Sequence, residues 1–165
     1  MQRVYSLLVD NNSGVLSRIS GLFTRRGYNI DSITAGVTAD PRFTRITIVS
    51  CGDEIILSQN EKQIAKLEDV IVVKVLKPEE SVYRELILVK IRANAQQRSE
   101  IVSIADIFRA KIVDAERESL VIELTGTQSK LEAFLQLLDG YEILELARTG
   151  IAGLSRGIKD VTFIE

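Results

Sequence analysis

The stretch that decides the fold is Tyr5–Ile30, which reads YSLLVDNNSGVLSRISGLFTRRGYNI. An apolar strand runs into the polar turn Asp10–Gly14, an amphipathic helix follows, and a second turn at Gly27–Asn29 leads into the next strand. The helix is expected over about Gly14–Arg26, and its apolar residues recur at helical spacing: Val15, Ile19, Leu22 and Phe23, with Leu16 beside them. The pattern predicts a strand, helix, strand beginning for the domain.

The first turn has the composition of a helix start and also of an anion site. The first backbone N–H groups of a helix have no partner within the helix and carry partial positive charge, so Gly14, Val15 and Leu16 suit a bound carboxylate. The side-chain amide of Asn11 can serve both the carboxylate and the ammonium group of an amino acid, and Asn29 offers the same chemistry. Because such turns are also typical of ordinary N-caps, these residues alone leave both interpretations open.

The rest of the first half alternates strand and helix patterns. Further strands are predicted at Val4–Val9, Asn29–Val37, Phe43–Cys51 and Val70–Leu76, with a helix after Asp53 whose Leu57, Asn60, Ile64 and Leu67 share one face. Cys51 ends an apolar strand and is interpreted as a small core residue. The order βαββαβ is complete by Leu76, and Lys77–Ser81 is the predicted linker.

The second half repeats this order. Its elements are predicted at Glu85–Ile91, Gln97–Phe108, Lys111–Ala115, Ser119–Thr125, a helix capped by Thr127, and Ile143–Ala147. The sequence therefore predicts an α+β protein of two consecutive ferredoxin-like βαββαβ domains, 1–77 and 78–165, with helices on one face of antiparallel sheets. The second strand of such a domain lies at a sheet edge, so we expect two chains to pair there as a homodimer.

Composition excludes several classes of site. The 165-residue chain has one cysteine and no histidine, and these counts exclude disulfide frameworks and Cys/His metal sites. Its formal charge is -2. The sequence has no basic patch of the kind that indicates nucleic-acid binding, and it has no apolar run long enough to span a membrane. We therefore expect a cytoplasmic protein with no nucleic-acid or membrane partner.

Blocks along nearly the whole chain resemble one family. They read LSRISGLFTRRGYNIDSI, FTRITI, YRELILVKI, IFRAKIVDAE, ELTGTQSKLEAFL and ARTGIAGLSRG. In this order they are similar to the small, regulatory subunit of acetolactate synthase. The resemblance implies an ACT domain followed by a similarly folded domain. It also implies a non-catalytic subunit that binds no cofactor itself but activates a large catalytic subunit carrying thiamine diphosphate, Mg²⁺ and FAD.

The resemblance also implies an effector site. In similar ACT domains, the residues matching Asn11, Gly14, Val15 and Leu16 of one chain and Asn29 and Ile30 of the other surround a branched-chain amino acid, typically valine, at a dimer interface. This implication favours the amino-acid interpretation of the first turn. Two departures stand out: Gly36 lies where many relatives have alanine, and the tail Ile158–Glu165 matches no family pattern.

Three other functions deserve comparison. An RNA-recognition module shares the βαββαβ order, but FTRITIVSC lacks its aromatic pattern. A small hydrolase would need a positioned base, and neither a histidine nor a convergent acid pair is present. A stand-alone ACT sensor that regulates another partner would use the same amino-acid site. The glycine-containing stretch Gly150–Gly157 lacks the spacing of a phosphate loop, and we interpret it as a flexible segment that contacts the catalytic subunit.

Overall fold

The computed structural model describes residues 1–159 and residue 161 of the chain. These residues form two compact units: Met1–Tyr83 together with the segment that begins at Ile151, and Arg84–Gly150. The segment from Ile151 thus packs in the first unit, although the predicted second domain ran to residue 165. Part of the predicted unmatched tail, residue 160 and residues 162–165, lies outside the described residues. Among the helices that the structure describes, none has the length and apolarity that crossing a bilayer requires.

The first unit is a four-stranded antiparallel sheet with two helices. Its elements are β1 (Gln2–Asp10), α1 (Val15–Arg26), β2 (Ser32–Val37), β3 (Phe43–Cys51), α2 (Glu54–Ile64) and β4 (Val70–Leu76). The strand order is β2-β3-β1-β4, so β2 lies at an edge, as predicted. β2 begins three residues later than the predicted Asn29, because the backbone N–H of Tyr28 bonds to Phe23 in the helix end and Asn29 bonds to Asp31.

The core of this unit lies between the sheet and its helices. Alternate residues of β1 and β3 meet the apolar face of α1, where the predicted residues Val15, Ile19, Leu22 and Phe23 are all buried. The prediction for Cys51 is wrong, because its side chain is exposed. Cys51 pairs with the exposed Gln2 at the outer end of the sheet, beyond the buried part of β1.

The second unit repeats the arrangement. Its elements are β5 (Ser81–Arg92), α3 (Ala95–Ile107), β6 (Lys111–Ala115), β7 (Ser119–Gly126), α4 (Gln128–Leu137) and β8 (Ile143–Arg148), in the antiparallel order β6-β7-β5-β8. Ile87, Val89 and Ile91 of β5 form its core with residues of both helices. The ring of Phe108, just after α3, contacts the ring of Phe134 on α4 edge to face, with ring centroids 5.4 Å apart. Two ferredoxin-like units with antiparallel sheets confirm the predicted fold class.

A ninth strand was not predicted. β9 (Ala152–Ser155) belongs to the first unit, where the backbone N–H of Arg156 donates to the carbonyl of Glu80. Ile151, just before β9, is buried against Leu76 in a small cluster of the same unit. The prediction of a flexible segment is therefore wrong for Ala152–Ser155, because a buried apolar side chain before it and a backbone hydrogen bond after it hold it in place.

Candidate functional site

A cavity of about 330 Å³ lies at the N terminus of α1. Its walls are the end of β1, the turn that follows, the first turn of α1, and two side chains of β3, Thr44 and Ile46. Four of the predicted site residues line this cavity: Asn11, Gly14, Val15 and Leu16. The volume lies at the lower end of the range for small-molecule sites, so the cavity suits a small ligand.

The N terminus of α1 differs from the N termini of the other α-helices that the structure describes. Asp53, Asn94 and Thr127 each cap their own helix by accepting a hydrogen bond from a backbone N–H of its first turn. Gly14 occupies the same position in α1, and no side chain caps that helix. Because these first N–H groups carry partial positive charge, the uncapped end offers its donors to an anion in the cavity.

Glycine suits position 14 for two reasons. Its φ of 84° lies in the left-handed region, where residues with a Cβ are strained. A Cβ built there would lie 3.0 Å from Nη1 of Arg18, whose side chain folds back over the turn. The backbone at Gly14 therefore carries no side chain, and a ligand can approach it closely.

The side chain of Asn11 is held in one orientation. Its Nδ2 donates to the carbonyl of Pro41 at 3.0 Å, and its Oδ1 accepts from the hydroxyl of Thr44 at 3.2 Å. An amide group has two donor hydrogens and an oxygen with two lone pairs, so one donor and one acceptor remain for a ligand. The side-chain amide of Asn11 is therefore held in place to bind a ligand that carries both a hydrogen-bond donor and an acceptor.

The turn that carries Pro41 is itself fixed by an ion pair. Arg42 donates to both carboxylate oxygens of Asp40, and its nearest contact is 2.6 Å. These hydrogen bonds from Arg42 hold the pKa of the Asp40 carboxyl below its ordinary value. The carbonyl of Arg42 accepts from the backbone N–H of Asn11 at 2.8 Å, so the same turn supports both the main chain and the side chain of Asn11.

The apolar wall of the cavity is formed by only some of the residues that line it. Leu16 is 48% exposed, so its side chain is free to contact an aliphatic ligand. Val15 is only 5% exposed and packs into the core cluster, so its side chain belongs mainly to the fold. The apolar contact at this site therefore comes chiefly from Leu16 and from Ile46 on β3.

Asn29 and Ile30 do not line this cavity in the single chain. The carbonyl of Asn29 accepts from the hydroxyl of Ser50 at 2.6 Å, and its side chain donates to Asp31. Ile30 is partly buried against the core of the first unit. Both residues immediately precede the edge strand β2, and their contribution from a second chain stays a prediction.

Several residues at or near the cavity were not among the predicted site residues, including Ser17, Arg18, Thr44 and Ile46. Thr44 reaches the cavity because the register of the sheet pairs it with Val9 at the end of β1. Nothing in the local sequence of FTRITIVSC indicates this pairing register. The helical repeat could have placed Arg18 above Gly14, since side chains four residues apart lie on one face of a helix.

No group of three or more potential metal-ligating side chains occurs in the portion of the chain that the structure covers. The chemical groups at the cavity are instead backbone donors, amide and hydroxyl groups, the carboxylate residue Asp10, and an aliphatic surface. This combination matches a small zwitterion with an apolar side chain better than it matches a metal or a phosphate ester.

The chain has two ferredoxin-like units, and in the first unit the uncapped N terminus of α1 faces a small cavity. These features define a regulatory protein of the ACT class. Comparison with known families agrees. The family model described as the small-subunit-like ACT domain of acetohydroxyacid synthase matches residues 5–72, and that of the small subunit of acetolactate synthase matches residues 84–157. The chain belongs to the acetolactate synthase small-subunit family, and its role is that of a regulatory, non-catalytic subunit.

Individual relatives support this assignment over nearly the full length. The probable acetolactate synthase small subunit of Methanothermobacter thermautotrophicus is 48% identical over 155 residues, which cover 93% of this chain and 92% of the relative. The isozyme 3 small subunit of Escherichia coli is 47% identical over 160 residues, covering 96% and 98%. The crystal structure of the small subunit from Thermotoga maritima superposes with a TM-score of 0.88 at 41% identity, covering 96% and 99%. The family predicted from the sequence is confirmed.

Proposed function

We propose that this subunit is a feedback sensor, which binds a branched-chain amino acid, valine, and sets the activity of the large subunit of acetolactate synthase. The large subunit carries out the chemistry, and we assign thiamine diphosphate, Mg²⁺ and FAD to it. The small subunit contributes a binding site whose occupation favours one arrangement of the assembly.

The observation that carries this proposal is the uncapped N terminus of α1 facing a cavity. Helices α2, α3 and α4 each use a side chain to satisfy a first-turn donor, whereas no side chain caps α1, and its Val15 N–H makes only a long 3.5 Å bond to the carbonyl of Asn12. An amino-acid carboxylate matches these donors in charge and geometry. The remaining acceptor and donor of the Asn11 amide suit the ammonium and carboxylate groups of the ligand, and Leu16 suits its isopropyl side chain.

A homodimer would complete the site. The edge strand β2 presents the exposed apolar side chains of Ile33 and Val37, and Leu16 is exposed on the neighbouring helix. Pairing of two β2 edges would satisfy unpaired backbone groups and cover this apolar surface. We propose that Asn29 and Ile30 of the second chain then close the cavity over the bound amino acid.

The energetics of such a switch are modest. A ligand shifts an equilibrium only by the difference between its affinities for the two states, and a tenfold change in activity corresponds to about 1.4 kcal/mol. One hydrogen bond to a charged group contributes roughly 1.5 to 3 kcal/mol. A carboxylate held well in only one arrangement of the dimer is therefore sufficient to drive the response.

Reconstitution tests the proposal directly. Acetolactate formation by the purified large subunit is measured with and without this chain, each titrated with valine, isoleucine and leucine. We expect the chain to raise the activity and valine to lower it only when the chain is present. Calorimetry with valine measures binding to the small subunit alone.

The outcomes separate the alternatives. Valine binding without any effect on acetolactate formation would indicate a stand-alone sensor that regulates another partner. Activation without valine binding would contradict the effector site but leave the subunit assignment in place. Sedimentation of the small subunit with and without valine measures the predicted dimer independently.

A further inference from the structure

The uncapped turn before α1 is tied to a distant segment by one ion pair. Nε of Arg18 donates to Oδ2 of Asp69 at 2.6 Å, and Nη2 of the same side chain lies 3.4 Å from the carbonyl oxygen of Ser13. Asp69 immediately precedes β4, so the pair joins the first turn of α1 to the start of the opposite edge strand.

Asp69 also holds the other end of the same turn. Its backbone carbonyl accepts from the N–H of Asp10 at 2.9 Å, where β1 ends and the turn begins. The carboxylate of Asp69 acts on the far end of the turn through Arg18, whose Nη1 lies beside Gly14. Both ends of the segment 10–14 are therefore fixed to a single residue.

Such an external support has a physical reason. An N-cap side chain normally defines the chain entry into a helix by accepting a hydrogen bond from a backbone N–H of the first turn. In the second unit, Asn94 and Gln97 form a capping box that defines the corresponding entry into α3. The turn before α1 has no such capping side chain, because a capping side chain would occupy the donors that face the cavity.

We propose that Arg18 and Asp69 are a positioning pair for the amino-acid site, holding the turn in the shape that aims its backbone donors at the ligand carboxylate. This inference rests on the proposed function, because it names what maintains that site. Arg18 acts through the turn and does not itself bind the ligand. The pair also connects the cavity to β4, so ligand binding and the position of that strand are linked.

The test compares three variants of the full-length chain by calorimetry with valine. Arg18→Gln and Asp69→Asn each remove one charge of the ion pair. Arg3→Gln is the matched control, because Arg3 and Glu54 form an ion pair of the same 2.6 Å length in the same unit, and neither residue lines the cavity. We expect both pair-breaking variants to weaken valine binding roughly tenfold, as loss of a charged hydrogen bond allows, while Arg3→Gln keeps the wild-type affinity.

Asp69→Asn separates positioning from direct attraction between Arg18 and the ligand. This variant keeps the Arg18 cation and removes a nearby negative charge, so direct attraction would make valine bind more tightly, whereas loss of positioning makes it bind more weakly. Tighter or unchanged binding by Asp69→Asn would overturn the inference. An equal loss in all three variants would also overturn it, since it would reveal only a general loss of stability.

Activation of the large subunit provides the second readout. Arg18→Gln and Asp69→Asn should raise the valine concentration needed for half inhibition, whereas Arg3→Gln should leave it unchanged. Failure of the wild-type chain to bind valine would contradict the proposed function itself, and that result is distinct from normal binding by the variants. If Arg18→Gln does not fold, Asp69→Asn alone decides between the outcomes.

Discussion

The hydroxyl of Tyr5 donates a 2.7 Å hydrogen bond to the backbone carbonyl of Leu57, which joins the central strand β1 to the middle of α2. The Tyr5 side chain is fully buried among apolar residues of the first unit. Burial, as the largest cause, raises the pKa of Tyr5 to about 12, because the phenolate would lose its hydration. A neutral, hydrogen-bonded hydroxyl is therefore part of the folded core.

This arrangement predicts a loss of stability at high pH. An unfolded tyrosine ionises near its ordinary pKa of 10, whereas folded Tyr5 keeps its proton up to about 12. The stabilisation is fully present below pH 10 and is lost as the pH rises toward 12, because the unfolded state releases its proton first. In Tyr5→Phe this part of the pH dependence should disappear. Denaturant titrations between pH 8 and about 12, compared for the two proteins, measure the difference.

At neutral pH the same substitution should destabilise the first unit. Tyr5→Phe removes the hydroxyl donor from the carbonyl of Leu57, which then keeps only its hydrogen bond within α2, and the loss of one hydrogen bond costs about 0.5 to 1.5 kcal/mol. Tyr28→Phe is a suitable control, because the Tyr28 hydroxyl makes only an exposed 3.3 Å contact with Gln59. Equal stability losses in the two variants would contradict the role assigned to the buried bond.

Gly14→Asp should abolish the valine response. The new carboxylate would lie at the uncapped end of α1, where it competes with the ligand for the same donors and repels its carboxylate. Gly27→Asp is the matched control, since Gly27 ends the same helix with a φ of 65° and no atom within 4 Å of a built Cβ. Both variants carry similar backbone strain. Calorimetry should detect weakened valine binding, by tenfold or more, roughly a loss of 1.4 kcal/mol, in Gly14→Asp alone.

Val37→Lys should weaken the predicted dimer and valine binding together. Val37 is 59% exposed on the edge strand β2, and a cation there would be buried against its copy across a paired edge. Ile71→Lys is the control, because Ile71 is a similarly exposed apolar residue on β4, the opposite edge of the same sheet. Sedimentation should detect monomers for Val37→Lys and dimers for Ile71→Lys. Dimers of both variants would place the contact elsewhere.

Local sequence patterns accounted for most of the fold. The periodicity of Val15, Ile19, Leu22 and Phe23 correctly predicted the buried face of α1, and Thr127 correctly predicted a helix cap. These features depend on residues that are neighbours in sequence. Their energetics are therefore visible without knowledge of the tertiary structure.

Features that depend on distant contacts were not predictable in this way. Cys51 ends an apolar strand, but its exposure depends on where the partner strand β1 begins. The position of β9 depends on the buried contact of Ile151 with Leu76, about half the chain away. Asp69 supports the cavity through the register of β1 and β4, which its own sequence neighbourhood does not reveal.

Gly153→Ala should destabilise the anchored strand β9. A built Cβ at Gly153 lies 2.9 Å from Cδ1 of Leu76 and 3.0 Å from the ring of Tyr83, so buried neighbours would have to move. Overpacking of this kind costs about 1 to 3 kcal/mol. Gly36→Ala is the control, because its built Cβ has no atom within 4 Å in the chain, and alanine in a strand is favoured over glycine. Thermal unfolding should give a lower midpoint for Gly153→Ala only.

Asn60→Leu should stabilise the protein. Asn60 lies on α2 with 1% of its surface exposed, beside the hydroxyl of Tyr5, and there it partly offsets the rise that burial causes in the pKa of Tyr5. Neither its Nδ2 nor its Oδ1 makes a hydrogen bond of good geometry among the described residues. A poorly paired buried amide costs about 1 to 3 kcal/mol, and leucine has the same branched arrangement of side-chain heavy atoms without that cost. Asn60→Ala is the control, since it removes the same polar atoms but leaves a cavity. Denaturant unfolding should give a higher free energy of unfolding for Asn60→Leu than for the wild type, and a lower one for Asn60→Ala. A loss of stability in Asn60→Leu would mean that the amide makes favourable contacts in solution.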